Sequence, residues 1–167
     1  MYDTKKAHYL VVTVMIHCQN KYLILKRSEQ EKAFPNLWTV PGGKLETTDY
    51  MTREKDTLNH WYNVFETVGK REVKEETGID VNNMGYLTSL VYIRSDDIPC
   101  VIVSLFAEGT TMNIVIDQKD HSEYAWVSFD ELKNYELVDG LYEEFVMLQN
   151  HLTGKTIGAW SKAHDLS

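Results

Sequence analysis

Two cysteines in 167 residues, Cys18 and Cys100, are too few for a disulfide framework, and both stand in apolar, strand-like runs. They read as buried thiols of a protein kept in a reducing compartment, so cytoplasm is the expected location. No membrane helix or signal peptide is expected either. The apolar run Leu10 to Ile16 is far shorter than the roughly 20 residues a spanning helix needs, and it lacks a small-residue cleavage site. Basic residues are in deficit, 17 Lys and Arg against 25 Asp and Glu, and the net charge of −8 disfavours a nucleic-acid polymer as partner. A small anionic ligand that arrives with its metal stays compatible with that charge. Repeats, low-complexity tracts and linkers are absent. With 43% hydrophobic residues the chain has the means for one core, and a single domain over 1–167 is expected, its tail 153–167 frayed.

What the chain does have is a dense acidic stretch, Arg71-Glu72-Val73-Lys74-Glu75-Glu76-Thr77-Gly78-Ile79. On a helix, Glu72, Glu75 and Glu76 stand at i, i+3 and i+4 and leave the same side of the rod. Such a cluster repels itself by about 0.2 to 0.5 kcal/mol per i,i+4 pair, so something must compensate. A solvated acidic face would be the bland reading, but the phase opposes it. At 100° per residue Trp61, Phe65, Val68 and Ile79 share the side of the three glutamates, while Lys70 and Lys74 do not. The apolar stripe thus turns into carboxylates in its last two turns. Carboxylates aimed at the protein body need a cation, and hard oxygen ligands suit Mg²⁺ or Mn²⁺. Asn63 with Glu66 reads as an N-cap and its capping-box partner, and Gly78 as the left-handed stop.

Around this helix the chain reads as a layered α/β (α+β) domain. His8 to Cys18 and Tyr22 to Arg27 form a hairpin about Gln19-Asn20-Lys21. A strand through Trp38 and Val40 ends in the turn Pro41-Gly42-Gly43-Lys44, where glycines allow close backbone approach. Two strands, Tyr86 to Arg94 and Pro99 to Glu108, flank the turn Ser95-Asp96-Asp97, and Glu123 to Val127 is a further strand. Phe129 opens a short helical turn. Leu141 to Leu148 has apolar residues at helical spacing, and its glutamates read as a solvated face.

Gly43 and the block Arg71 to Ile79 resemble the Nudix hydrolase motif, G-x5-E-x7-R-E-U-x-E-E-x-G-U with U a bulky aliphatic, and the second half matches at every position. The approach Leu37 to Glu46 is similar to that of members acting on nucleoside triphosphates. Two departures stand out. Arg71 comes fourteen residues later than the motif places it, so an insertion at about 50–62 splits the box. The first motif glutamate is also missing, replaced by Asp49 when counted from Gly43 or by Asn63 when counted back from Arg71.

The resemblance implies a mixed β-sheet sandwiched between helices and metal-dependent hydrolysis of a nucleoside diphosphate linked to another group. A (d)NTP pyrophosphohydrolase releasing NMP and pyrophosphate is the favoured substrate reading. ADP-ribose or another nucleotide derivative, or a non-catalytic nucleotide-binding regulatory domain, are the alternatives. Glu72, Glu75, Glu76 and the carbonyl of Gly42 are then the expected ligands of Mg²⁺ (or Mn²⁺), with Arg27, Gly43 and Lys44 facing the polyphosphate. Arg71 would orient the carboxylates, and Glu75 or Glu123 would act as general base. His121, read as an exposed polar histidine, is a weaker candidate for that role. The insertion, with Trp61 and Tyr62, reads either as a cover for the substrate or contact with a second subunit of a homodimer, or as a tolerated surface excursion.

Overall fold

The computed structural model describes residues 4–162. The β-branched N-terminal run becomes β1 (Tyr9–Cys18), which turns through Gln19 and Asn20, both at positive φ, into β2 (Lys21–Arg27). β3 (Trp38–Thr39) and β4 (Gly42–Lys44) follow, then α1 (Thr48–Met51), α2 (Val64–Thr77), β5 (Val81–Ile93), β6 (Pro99–Gly109), β7 (His121–Val127) and α3 (Leu141–Leu152). The strands form one mixed sheet in the order β3-β2-β1-β6-β5. β4 lies against β1 and β7 against β2, and only the central β1–β6 pair is parallel. No helix is long and apolar enough to cross a membrane among the described residues.

Alternation along β1 splits its side chains between two cores. Val12, Val14 and Ile16 pack with Val68 and Val73 of α2, whereas Met15 packs with Phe145 and Leu148 of α3. The sheet is therefore sandwiched between two helices, as the resemblance implied. Both cysteines are buried and unpaired.

Several local expectations need correction. Gly42–Lys44 is not a turn but a strand, antiparallel to β1 with Thr13 opposite Gly42. Its glycines are required by close approach: a Cβ on Gly42 would lie 2.5 Å from the Val12 carbonyl, and one on Gly43 would overlap the Glu72 carboxylate. Asn63 does precede α2, but with φ 53° its side chain makes no capping bond. Gly78 closes the helix at φ 74° as expected. Val68 and Ile79 are buried, while Phe65 faces solvent, because the helix has barely begun there. The glutamates of α3 are not all solvated, since Glu144 is buried. Within 153–162, most of which is exposed, Ile157 packs on the α3 core and the Trp160 indole donates to the Gly140 carbonyl at 3.2 Å. Residues 163–167 of that expected tail lie outside the described residues.

The insertion folds largely onto itself. Arg53 donates to the Tyr62 carbonyl at 2.6 Å, the Trp61 indole donates to the Arg53 carbonyl at 3.2 Å, and the Tyr50 and Trp61 rings stand 5.3 Å apart.

Candidate active site

The last two turns of α2 lie against β4, and this contact sorts the three box glutamates. Glu72 and Glu76 are each only 9% exposed, while the Glu75 side chain is 58% exposed. The Glu72 carboxylate lies against Gly43. Glu76 accepts the Gly42 N–H at 3.0 Å. The antiparallel ladder alternates, so a Gly42 amide that points away from β1 is accompanied by its carbonyl on the same side. Two carboxyls of like charge and a backbone carbonyl thus share one buried corner.

Arg71 organises the rim of that corner. Its Nε and Nη2 donate to the two Asp49 oxygens at 2.6 and 3.2 Å, Nη1 stands 2.9 Å from both Glu72 and Glu75, and Nη2 reaches the Lys44 carbonyl at 3.2 Å. This two-pronged bond is the strong form of the arginine–carboxylate pair. Asp49 therefore occupies the missing glutamate's place, six residues after Gly43, and its short side chain still reaches the guanidinium. Burial works to raise the Asp49 carboxyl, but the Arg71 and Glu46 hydrogen bonds hold it below the usual range. Burial raises Glu72, with Arg71 opposing. Glu76 is pushed up to about 8, first by burial and then by Glu72 and Asp120, against the Gly42 N–H and Arg27.

Sequence reasoning missed Asp120. The chain after β6 docks on the end of α2 through Val115 N–H to the Thr77 carbonyl and Asp117 N–H to the Glu76 carbonyl, both at 3.0 Å. That docking brings Asp120 near enough for its charge to act on Glu76. The available signal was an acidic pair, Asp117 and Asp120, just ahead of a strand. His121 is 2% exposed rather than exposed, its Nδ1 has no partner, and burial followed by the Arg27 charge lowers it to about 4. Local pattern hid this, because the strand that pairs His121 with Arg27 lies some ninety positions earlier in the chain.

The other expected residues divide between the two faces. Arg27 donates to the Ala33 carbonyl at 2.7 Å, pairs with Glu31 at 2.5 Å and lies close enough to Glu76 to act on it. Lys44 points to the α3 face, its Nζ 5.3 Å from the Tyr9 ring. Glu123 is opposite Lys26 on that same α3 face and pairs with it at 2.7 Å, so it does not join the box glutamates.

A divalent cation fits the donor set of the α2 corner. Glu72 and Glu76 bring hard carboxylate oxygens into one buried corner beside the Gly42 and Gly43 backbone, the kind of donor that Mg²⁺ or Mn²⁺ takes. No three His, Cys, Asp or Glu side chains already converge on one point among the described residues, so the backbone and water would complete the ligand shell.

Comparison with known proteins agrees with this geometry. The NUDIX domain family matches residues 7–148. The fold is similar to a NUDIX hydrolase from Alicyclobacillus acidocaldarius, with TM-score 0.70, 10% identity, and 91% of this chain and 98% of that one covered. It is also similar to the NUDIX domain of Shewanella oneidensis NrtR complexed with ADP ribose, with TM-score 0.64, 19% identity, and coverage of 91% and 92%. A third similar structure is a MutT protein from Methanosarcina mazei, with TM-score 0.60, 21% identity, and coverage of 89% and 97%. Curated protein sequences gave no match. With an intact R-E-x-x-E-E helix against a glycine strand and a family match over most of its length, the chain belongs to the NUDIX domain family and is a Nudix hydrolase.

Proposed function

We propose that the protein is a Mg²⁺-dependent nucleoside triphosphate pyrophosphohydrolase, releasing a nucleoside monophosphate and pyrophosphate. The observation that supports this reading most is the buried Glu72–Glu76 pair set against Gly42 and Gly43. Glu72, Glu76 and the Gly42 carbonyl would hold the cation, with Glu75 at the exposed edge and Asp120 facing Glu76. A cation there neutralises charge on phosphoryl oxygens and lowers the pKa of a bound water.

The chain's own residues do the rest. Arg71, clamped by Asp49, fixes Glu72 and Glu75 relative to each other. Arg27 supplies positive charge for the polyphosphate from the end of β2, and the Gly43 backbone lines the corner from β4, whereas Lys44, on the opposite face, is the less suited of the expected phosphate contacts. Glu75 is solvent-accessible and adjacent to the buried pair, so it is the group assigned to take the proton of the attacking water. The water oxygen adds to phosphorus, the α–β anhydride bond breaks, and pyrophosphate leaves. Glu123 is the less suited base, since it is tied to Lys26 on the opposite face.

The test is a panel of (d)NTPs, ADP-ribose, NADH and diadenosine polyphosphates with Mg²⁺, followed by product analysis. Monophosphate and pyrophosphate from a triphosphate support the reading. Cleavage of ADP-ribose alone, or binding without cleavage, would replace it with one of the two alternatives.

A further inference from the structure

The sheet ends in two unlike edges. β7, at one of them, is seven residues long, carries His121 and Glu123, and has its Trp126 indole tied to the Met112 carbonyl at 2.9 Å. β5, at the other, runs thirteen residues without one Asp, Glu, Lys, Arg, His or Pro, in a chain of which 25% is charged. Its outer side has no strand partner among the described residues. An open edge is a template for another strand, and proteins that stay monomeric blunt it with charge, proline, bulges or shortness. Of these devices β5 has only bulges, and both fall in its first half, between Asn82 and Gly85 and between Tyr86 and Thr88. From Thr88 to Ile93 the strand is regular, lying opposite Ser104 to Pro99.

The hairpin that follows shows which backbone groups of this stretch are open. The Arg94 N–H donates inward, to the Ile98 carbonyl at 3.1 Å. Backbone groups alternate sides along a strand, so Tyr92 and Leu90 also bond toward β6, while the N–H and C=O of Ser89, Val91 and Ile93 point to the open edge. These same three residues turn their side chains to the α2 face. Val91 lies opposite Val101, and Val101 opposite Leu10, which packs on the α2 core. Val91 is 60% exposed and Ile93 63%. Open backbone groups and open apolar side chains thus coincide on five residues. The other face of the stretch is partly closed, since the Phe34 ring stands 4.9 Å from that of Tyr92. The first charges past the strand, Arg94 and Asp96, are paired to each other at 2.9 Å.

We propose that β5 pairs edge to edge with β5 of a second copy of this chain, antiparallel about a two-fold axis at Val91, so that two sheets become one. The axis sets Val91 against its own mate, Ile93 against Ser89 and Leu90 against Tyr92, and the outward N–H and C=O groups of the two copies satisfy each other. A second copy is the occupant because self-pairing brings every charge on the strand toward its own like, and this strand has none. A strand built for a charged partner would carry the complement. With a net charge of −8 two copies repel, and a neutral edge is where they approach at least cost. The paired stretch, residues 88–94, is roughly 24 Å long. That covers less than the roughly 800 Å² per partner of a standard interface, so the dimer is reversible, with a Kd of about 1 to 100 µM. The contact uses both open edges and therefore closes at two copies.

The experiment is sedimentation velocity of the full chain over a concentration series of about 1 to 500 µM, a range that brackets the expected Kd. The native mass should rise from 19.4 kDa toward twice that and no further. Val91→Lys and Val91→Glu each set like charges face to face and should weaken the dimer by about tenfold or more, while an equimolar mixture of the two should restore it. Position 91 is exposed and two strands away from β4, so both variants should melt as the native protein does at a concentration where all are monomeric. Cross-linking keeps the test decisive should either variant fail to fold. Opposite Cα atoms of such a pair stand about 5.5 Å apart, within disulfide reach, so Val91→Cys should join copy to copy on oxidation. Ser89→Cys should not, because it faces Ile93 of the mate, and the native cysteines are buried. A native protein that stays monomeric throughout, masses beyond the dimer, an equally strong dimer in Val91→Lys, or equal cross-linking at positions 89 and 91 would overturn the proposal. So would a dimer that survives Val91→Lys and is lost when residues 53–61 are replaced, which would assign the contact to the insertion.

Discussion

The two helices that sandwich the sheet both bury glutamates, yet they bury them in different company. On the α2 face Glu72 and Glu76 sit within reach of Arg71, Arg27, Asp49 and Asp120, a ring of fixed charges around a pair of repelling acids. On the α3 face Glu144 is hydrogen-bonded to a serine hydroxyl, and beyond that lies a threonine. Burial raises the acids in both places, but the consequences differ. An acid pair with excess negative charge is relieved by a cation, whereas a solitary buried acid is relieved by keeping its proton. The comparison teaches that the charge of the surroundings, rather than burial alone, decides whether a buried carboxyl calls for a counter-ion.

The largest effect should come from disabling the α2 corner. Glu76→Gln is expected to lower kcat by about 100-fold or more, as loss of a metal-activating or acid–base group does. It should also abolish the rise in Tm that Mg²⁺ produces in the native protein, since a cation that binds only the folded state stabilises it by mass action. A thermal melt with and without Mg²⁺ reads this independently of turnover. A retained Mg²⁺ effect in the variant would place the cation elsewhere. In chelator the variant should melt no lower than the native protein, because it removes one of two repelling acids.

A smaller loss is expected from the rim. Asp49→Ala should lower kcat by about 10- to 100-fold, the usual cost of freeing a residue that orients a ligand, and Asp49→Glu should recover most of it. Steady-state kinetics of the two variants decide whether Asp49 has taken over the role of the missing motif glutamate. Equal activity of native protein and Asp49→Ala would show that the Arg71 clamp is dispensable.

How far these features can be read from sequence follows the range of the contacts involved. The α2 glutamates and the Gly78 stop were legible, because helical phase and a left-handed glycine are local properties. Asp49 was legible as a departure from spacing but not as a replacement, since only the fold shows that an aspartate reaches Arg71 across 22 positions. β4 was read as a turn because Pro and Gly usually make one, and what makes it a strand is β1, some thirty positions earlier. Glu144 and His121 looked solvated for the same reason. Their burial comes with the tertiary placement that sets Glu144 beside Ser104 on β6 and His121 opposite Arg27 on β2, partners that no local pattern announces. The Asn63 capping box failed although its residues were right, because the backbone enters α2 from a left-handed conformation that turns the side chain away.

A pH titration sharpens the contrast further. Glu144 has its ordinary value near 4.5 when unfolded and about 7 when folded. The unfolded chain therefore releases this proton first as pH rises, so the contribution is full below 4.5 and is lost progressively up to about 7. Metal-free Tm should fall across that window in the native protein and fall less in Glu144→Gln. Parallel curves for the two proteins would show that Glu144 is not buried as described.

The smallest effect is expected from the insertion, once Asp49 is left in place. Its bonds run mainly among Tyr50, Arg53, Asp56, Trp61 and Tyr62, so replacing residues 53–61 by a short glycine-containing turn should change kcat/KM by less than about threefold. A larger change, or a change in the mass measured in solution, would favour the lid or dimer contact that its position in the box suggests.

The central claim, that the charged acid pair of α2 and not the solitary acid of α3 holds the cation, is tested most directly by calorimetric titration of Mn²⁺ into the metal-free protein. The account predicts saturable binding by the native protein, its loss in the Glu72→Gln, Glu76→Gln double variant, and unchanged binding in Glu144→Gln. Equal binding by the native protein and the double variant, or loss of binding in Glu144→Gln, would contradict it.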